Sequence, residues 1–210
     1  MFLPAMTRED SYAAFLAASR WSKLEARAAP GRSVGRYLAG LYSGAPGSAA
    51  VGFKLMYNHL TPSLTSWIER ERPRVIHLVR RNLLKLLVSR VAAEQRGLYH
   101  LDPEQRPPVD RVKLDPTTLV ARLEKITEEL ERGAAFAEAR GALTVGYEDL
   151  LEDRVATYAR VLEFLGVSSS VPANDPLRKI NPDSLADLLA NLDEVTDALR
   201  GSPFEYHLGG

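Results

Sequence analysis

No cysteine occurs among the 210 residues. That removes disulfides, thiolate nucleophiles and zinc–sulfur sites, and with them redox chemistry and a disulfide-stapled secreted scaffold. Long apolar runs are also missing: none approaches the ~20 residues needed to span a bilayer. Residues 1–15 show neither the basic start nor the sustained apolar stretch of a secretory signal. Net charge is absent as well, with 27 basic against 27 acidic residues. Internal repeats and low-complexity tracts do not occur. These absences lead to the expectation of a soluble, cytoplasmic protein, in one domain large enough to fold without metal or disulfide staples.

The neutral total conceals an uneven distribution. Arginine supplies 21 of the 27 basic residues and lysine six. Residues 69–96 carry eight basic and three acidic side chains, whereas 183–197 carry five acidic and no basic ones. One arginine-rich segment in a balanced chain suits a compact anion better than a long polyanion. A nucleic-acid-binding protein using segment 70–96 is accordingly the third reading in order, and nucleic acid is not the expected partner.

Apolar spacing predicts an amphipathic helix over 9–27, with Pro30-Gly31 ending it, and a shorter one over 33–42. Residues 43–48 read as a loop. Val51-Gly52-Phe53-Lys54-Leu55-Met56-Tyr57 reads as a strand, 62–71 as a helix stopped by Pro73, and 74–79 as an interior strand. Helices are expected over 82–96 and 116–138, around an irregular loop at 102–115 rich in proline. Residues 142–147 read as a third strand, and Asp153 as the cap of a helix closed by Gly166. A last helix is expected from Asn181 to a stop at Gly201, with Leu185, Leu188, Leu192, Val195 and Leu199 as its stripe.

Strands separated by helices imply parallel pairing, so the predicted fold is α/β, a three-layer sandwich with a central parallel sheet. Ligands of such sheets bind beyond the carboxyl ends of the strands. Tyr57-Asn58-His59, Arg80-Arg81-Asn82 and Tyr147-Glu148-Asp149 all fall there. Where a strand gives way to a helix, free amides and the helix dipole favour an anion, and an arginine adds a planar fork matching phosphate. Ser89, eight residues after Arg81, can share that face. The plainer account makes Arg80 and Arg81 a solvated helix start and Ser89 a filler.

The segment from His77 through Arg81-Asn82 to Ser89 resembles the 3′-phosphate-binding segment of sulfotransferases, enzymes that use 3′-phosphoadenosine-5′-phosphosulfate (PAPS). Val145-Gly146-Tyr147-Glu148-Asp149-Leu150 is similar to the family's strand-end Tyr-Glu-Asp-Leu, and Phe164-Leu165-Gly166 to the end of its following helix. Val51 to Tyr57 resembles its second conserved strand. Leu177-Arg178-Lys179-Ile180-Asn181-Pro182 with Asn191-Leu192-Asp193 resembles the C-terminal region of bacterial and carbohydrate-type members. The resemblance spans about residues 50–200. It divides the chain into a helical N-terminal part at 1–45, a family core at 46–200 and a tail at 201–210, all in a single sulfotransferase-like domain.

The resemblance implies a P-loop-like fold and sulfonate transfer from PAPS to a hydroxyl of a carbohydrate or other small metabolite, without a metal. It implies nucleotide binding by Arg81, Ser89, Tyr147, Arg178 and Lys179, and a catalytic Lys54 toward the sulfonate; for the acceptor's base, where the family uses histidine or glutamate by branch, this chain offers His59 first and Glu69 second. The bare residues leave alternatives open: a surface or capping histidine at 59, a snorkelling strand-end lysine at 54, a packing aromatic at 147. The family's first strand and 5′-phosphosulfate loop find no counterpart. Pro30-Gly31-Arg32-Ser33 follows a polar helix end rather than the buried strand such a loop requires. Three explanations stand side by side: an N-terminally shortened member, a paralogue that dispenses with the loop, or a partner or second copy that supplies it. The second reading is therefore a non-catalytic relative that binds nucleotide or protein.

Overall fold

The computed structural model describes residues 12–17, 20–43, 47–96, 111–168 and 184–209. It divides into two compact units, residues 1–75 with 162–168, and residues 76–161 with 169–210.

The first unit is helical. Its helices are α1 (Tyr12–Ala17), α2 (Arg20–Ala28), α3 (Pro30–Ser43) and α4 (Pro62–Glu71). The helix expected to end at Pro30-Gly31 does end at Ala28, and Pro30 then occupies the first position of α3, where its missing N–H costs nothing. Helix α4 matches its expected bounds for stated reasons. The Thr61 hydroxyl accepts the Leu64 N–H at 3.3 Å, Pro62 presets the first turn, and Arg72 ends it in the left-handed region at φ 48°. Leu38, Leu64, Trp67 and Ile68 are buried, and Trp67 packs against the rings of Tyr42 and Phe53, with centroids 6.1 and 6.3 Å away.

Segment 51–57 departs from expectation: it forms no strand and runs into a 3-10 turn, Tyr57–His59. Its burial does alternate, with Val51, Phe53 and Leu55 partly covered and Gly52, Lys54 and Met56 exposed. The period of two is a packing pattern, but a strand also needs a neighbour to complete its ladder. Among the described residues no strand pairs with it.

The second unit holds a parallel pair, β1 (Ile76–Val79) and β2 (Leu143–Gly146), in the register Ile76↔Leu143 to Val79↔Gly146. Two long helices connect them, α5 (Leu83–Arg96) and α6 (Leu119–Glu138), the kind of crossover that parallel strands require. The molecule is thus mostly helical with a small parallel sheet, a limited form of the expected α/β class. The interior strand expected at 74–79 is covered on one face only: His77 is buried, while Ile76 and Leu78 are 39% and 55% exposed.

The core lies between helices. Leu84, Leu87, Val88 and Val91 of α5 meet Leu119, Leu123 and Ile126 of α6, spaced three or four residues apart on each helix so that one stripe faces inward. Each such fully buried side chain contributes about 1.5–3 kcal/mol.

Beyond β2 come α7 (Tyr147–Glu152) and α8 (Arg154–Leu165). The Asp153 carboxylate accepts the Ala156 N–H at 2.9 Å, and Gly166 ends α8 at φ 64°, both as expected. The expected last helix is broken into α9 (Leu185–Leu188) and α10 (Leu192–Leu199). Its stripe does turn inward, with Leu185, Leu188, Val195 and Leu199 buried. At the break, Leu189 pairs with Val112 in a parallel bridge, and the Asn191 amide bonds both the N–H and the carbonyl of Leu114, at 3.1 and 2.8 Å. A main-chain partner 77 residues away outweighs helical continuity. Phe204 and His207 are buried, and the 3-10 turn Glu205–Gly209 packs on α5. Asn181 and Pro182 lie outside the described residues. No helix among those described is long and apolar enough to cross a membrane.

Candidate functional site

Because Val79 pairs with Gly146, the residues that follow them leave the sheet side by side. Arg80-Arg81-Asn82 thus lies beside Tyr147-Glu148-Asp149, and each turn opens a helix, α5 in one case and α7 in the other.

The two turns are joined through backbone and side chain. The Arg81 N–H donates to both oxygens of Glu148, at 3.0 and 3.1 Å, and the Asn82 N–H to Oε1 at 3.2 Å. The Arg81 guanidinium pairs with Asp149 through Nη2 at 2.6 Å, and its Nε lies 3.7 Å from Glu148. The Asp149 carboxylate also accepts the Gly146 N–H at 3.1 Å. Asn82 anchors the turn from the other side: its Oδ1 accepts the Lys85 N–H at 2.9 Å, capping α5, and its Nδ2 donates to the His207 carbonyl at 2.9 Å. Gly146 is the close-approach point, since a Cβ there would lie 2.7 Å from Asp149 Oδ2 and 3.1 Å from Arg81 Nη1.

Protonation follows from these contacts. Burial pushes the Glu148 carboxyl up, but the backbone N–H groups of Arg81, Glu148 and Asn82, with the Arg81 charge, outweigh it and hold it below its ordinary value. The hydrogen bond from Arg81 lowers Asp149, and that same bond raises Arg81. Burial lowers Arg80, opposed by Tyr147 and Glu148. The Arg80 guanidinium stacks over the Tyr147 ring at 4.8 Å, and its Nε is buried without a hydrogen-bond partner. Tyr147, expected at the nucleotide, here carries a cation on its ring.

Of the residues expected at the site, the structure brings Arg81 and Tyr147 to neighbouring strand ends. Ser89 is half-buried two turns along α5. Lys54 and His59 are exposed and belong to the first unit, Lys54 in the unpaired segment and His59 at the end of the 3-10 turn. Arg178 and Lys179 lie outside the described residues. Glu148 and Asp149 were expected at a ligand-binding strand end but were given no role there, and His207 had no part in the expected site. Their signal was two acids one residue further beyond β2 than the two arginines lie beyond β1, and the aromatic residues Phe204 and Tyr206 after Gly201. Among the described residues no group of three or more His, Asp or Glu could hold a metal ion.

What this arrangement can do is hold an anion. Arginine carries five N–H donors, and the Arg81 side chain is 59% exposed despite its two acidic neighbours. Compared with protein-family models, with curated proteins and with solved structures, the chain matches none.

Proposed function

We propose that the chain is a PAPS-dependent sulfotransferase, moving a sulfonate group from 3′-phosphoadenosine-5′-phosphosulfate to a hydroxyl of a carbohydrate or small metabolite. In this reading β1 and β2 belong to the central parallel sheet of a three-layer sandwich. Arg81 and Ser89 hold the 3′-phosphate, Tyr147 lies toward the adenosine, and Arg178 and Lys179 close over the nucleotide. His59 takes the acceptor's proton as its oxygen bonds sulfur, and Lys54 faces the sulfonate. The bond from sulfur to the 5′-phosphate oxygen breaks, and 3′-phosphoadenosine-5′-phosphate leaves with the electron pair. The observation that carries the reading is the exposed Arg81 guanidinium at the carboxyl end of a parallel strand, beside Tyr147 on the neighbouring strand.

Titration calorimetry with 3′-phosphoadenosine-5′-phosphate tests it, with AMP as the control ligand. The bisphosphate is expected to bind selectively, and Arg81→Ala to weaken it about 10–100-fold, as loss of a charge-assisted contact should. Equal binding of AMP, or indifference to Arg81→Ala, overturns the reading.

A second reading, a non-catalytic relative that binds nucleotide or protein, is favoured by one observation. The Arg81 and Asn82 amides and part of the Arg81 charge are already engaged by Glu148 and Asp149. Release of the bisphosphate from PAPS in the presence of carbohydrate acceptors separates the two: turnover supports transfer, and binding without turnover supports the relative.

A further inference from the structure

We infer that Glu148 is a positioning residue for the anion site: its carboxylate sets the β1–α5 turn so that the Arg81 fork faces the ligand. The inference rests on the nucleotide reading just proposed and deepens it.

A helix start with free amides usually binds an anion through those amides. Here the two amides that lead into α5, of Arg81 and Asn82, are spent, and Asn82 Oδ1 takes that of Lys85. Both consecutive N–H groups, of Arg81 and Asn82, point at one carboxylate that comes from the neighbouring strand end. The same peptide is fixed from its far side, since the Asn82 side chain caps α5 at Lys85 and bonds the His207 carbonyl. Held on both sides, the peptide between residues 81 and 82 has little freedom to turn, and the direction in which the Arg81 side chain leaves the backbone is settled with it.

Charge points the same way. Two arginines at the start of α5 oppose its dipole, which prefers an acid there. Glu148 supplies that acid from outside the helix, so Arg81 can stay at the turn without unravelling it. Asp149 takes Nη2, and Glu148 lies at the longer distance from Nε. Among the described residues Nη1 and one N–H of Nη2 have no hydrogen-bond partner, so both can donate to a phosphate. The anion is then read by the arginine fork and not by the Arg81 and Asn82 amides. An arginine fork is selective for planar pairs of oxygens, whereas a helix end accepts most anions.

Calorimetry with 3′-phosphoadenosine-5′-phosphate on four Glu148 forms tests the inference, at a temperature where circular dichroism shows each folded. Glu148→Ala removes the brace and is expected to weaken binding about 10-fold or more. Glu148→Gln keeps an acceptor at the same reach and should restore affinity to within about 3-fold of the native chain. Glu148→Asp keeps the charge but falls one methylene short of the amides, and should land in between. Should the alanine form not fold, the aspartate form decides, because a role confined to stability leaves its affinity native. Unchanged affinity across the folded variants overturns the inference. So does tighter binding in any of them, which would mean that Glu148 competes with the anion instead of orienting its receptor. Arg81→Ala run alongside separates the two levels. If it weakens binding while the Glu148 forms stay native, only the positioning role falls; if the native chain binds no bisphosphate, the nucleotide reading falls and takes the role with it.

Discussion

The turns after β1 and β2 occupy equivalent places, side by side at the carboxyl end of one parallel pair, and each starts a helix. Their chemistry is opposite: Arg80-Arg81 on one, Glu148-Asp149 on the other. For α7 the acids are what a helix start prefers. For α5 the arginines are the wrong sign. A local rule broken at one of two matched positions points to a demand from outside the helix. The structure shows the first half of that demand, an intramolecular partner. The exposed part of the Arg81 fork is where the second half, a ligand, is proposed to come.

If the contrast depends on close approach at Gly146, filling that space should abolish it. Gly146→Val forces the Asp149 carboxylate and the Arg81 guanidinium apart. It is expected to cost about 1–3 kcal/mol, as overpacking does, read as a lower urea midpoint at unchanged slope. A native midpoint would mean that the two turns separate freely.

Acid should dissolve the contrast in two stages. His77 and His207 are buried, and burial lowers both below the ordinary histidine value. The unfolded chain therefore takes their protons first, and stability that is full above about pH 6.5 declines as pH falls below it. Glu148 and Asp149 are lowered in the folded chain, so their contribution holds above about pH 4 and is lost below. Urea midpoints measured from pH 8 to pH 3 should show both descents; a flat stretch between pH 6.5 and 5 would remove the histidines from the account.

The smallest change is expected from Asp149→Asn. Its pairing with Arg81 is well exposed, so screening should leave stability nearly native. The sharper reading is by NMR, where the Arg81 side-chain N–H signals should shift while the backbone amides of Arg81 and Asn82, held by Glu148, stay in place.

Elements whose causes are local were legible in the sequence. Asp153 announces a helix start, Gly166 and Gly201 announce ends, and the leucine stripe from Leu185 to Leu199 announces a face that turns inward. The strand positions 76–79 and 143–146 were also readable, and so was their parallel pairing. Failures came where a distant partner decides. Segment 51–57 has the rhythm of a strand and no ladder, and the helix expected through residue 191 is cut because Leu114 and Val112 claim Asn191 and Leu189. At the site, Arg81 stood out because a charged fork at a strand end is visible in one segment. Glu148 did not, because its role exists only once residue 148 lies beside residue 81, 67 positions away.

The bond from Asn82 to the His207 carbonyl carries a consequence in time. Its ends are separated by 125 residues. A ribosome adding about 5–20 residues per second makes residue 82 roughly 6–25 s before the carbonyl that completes its surroundings. A nascent chain can therefore have β1 and α5 in place, and β2 paired, with Glu148 on the turn, while the Asn82 Nδ2 still lacks the His207 carbonyl. The Asn82 side chain thus completes its hydrogen bonds only after β1, α5 and β2 have all been made.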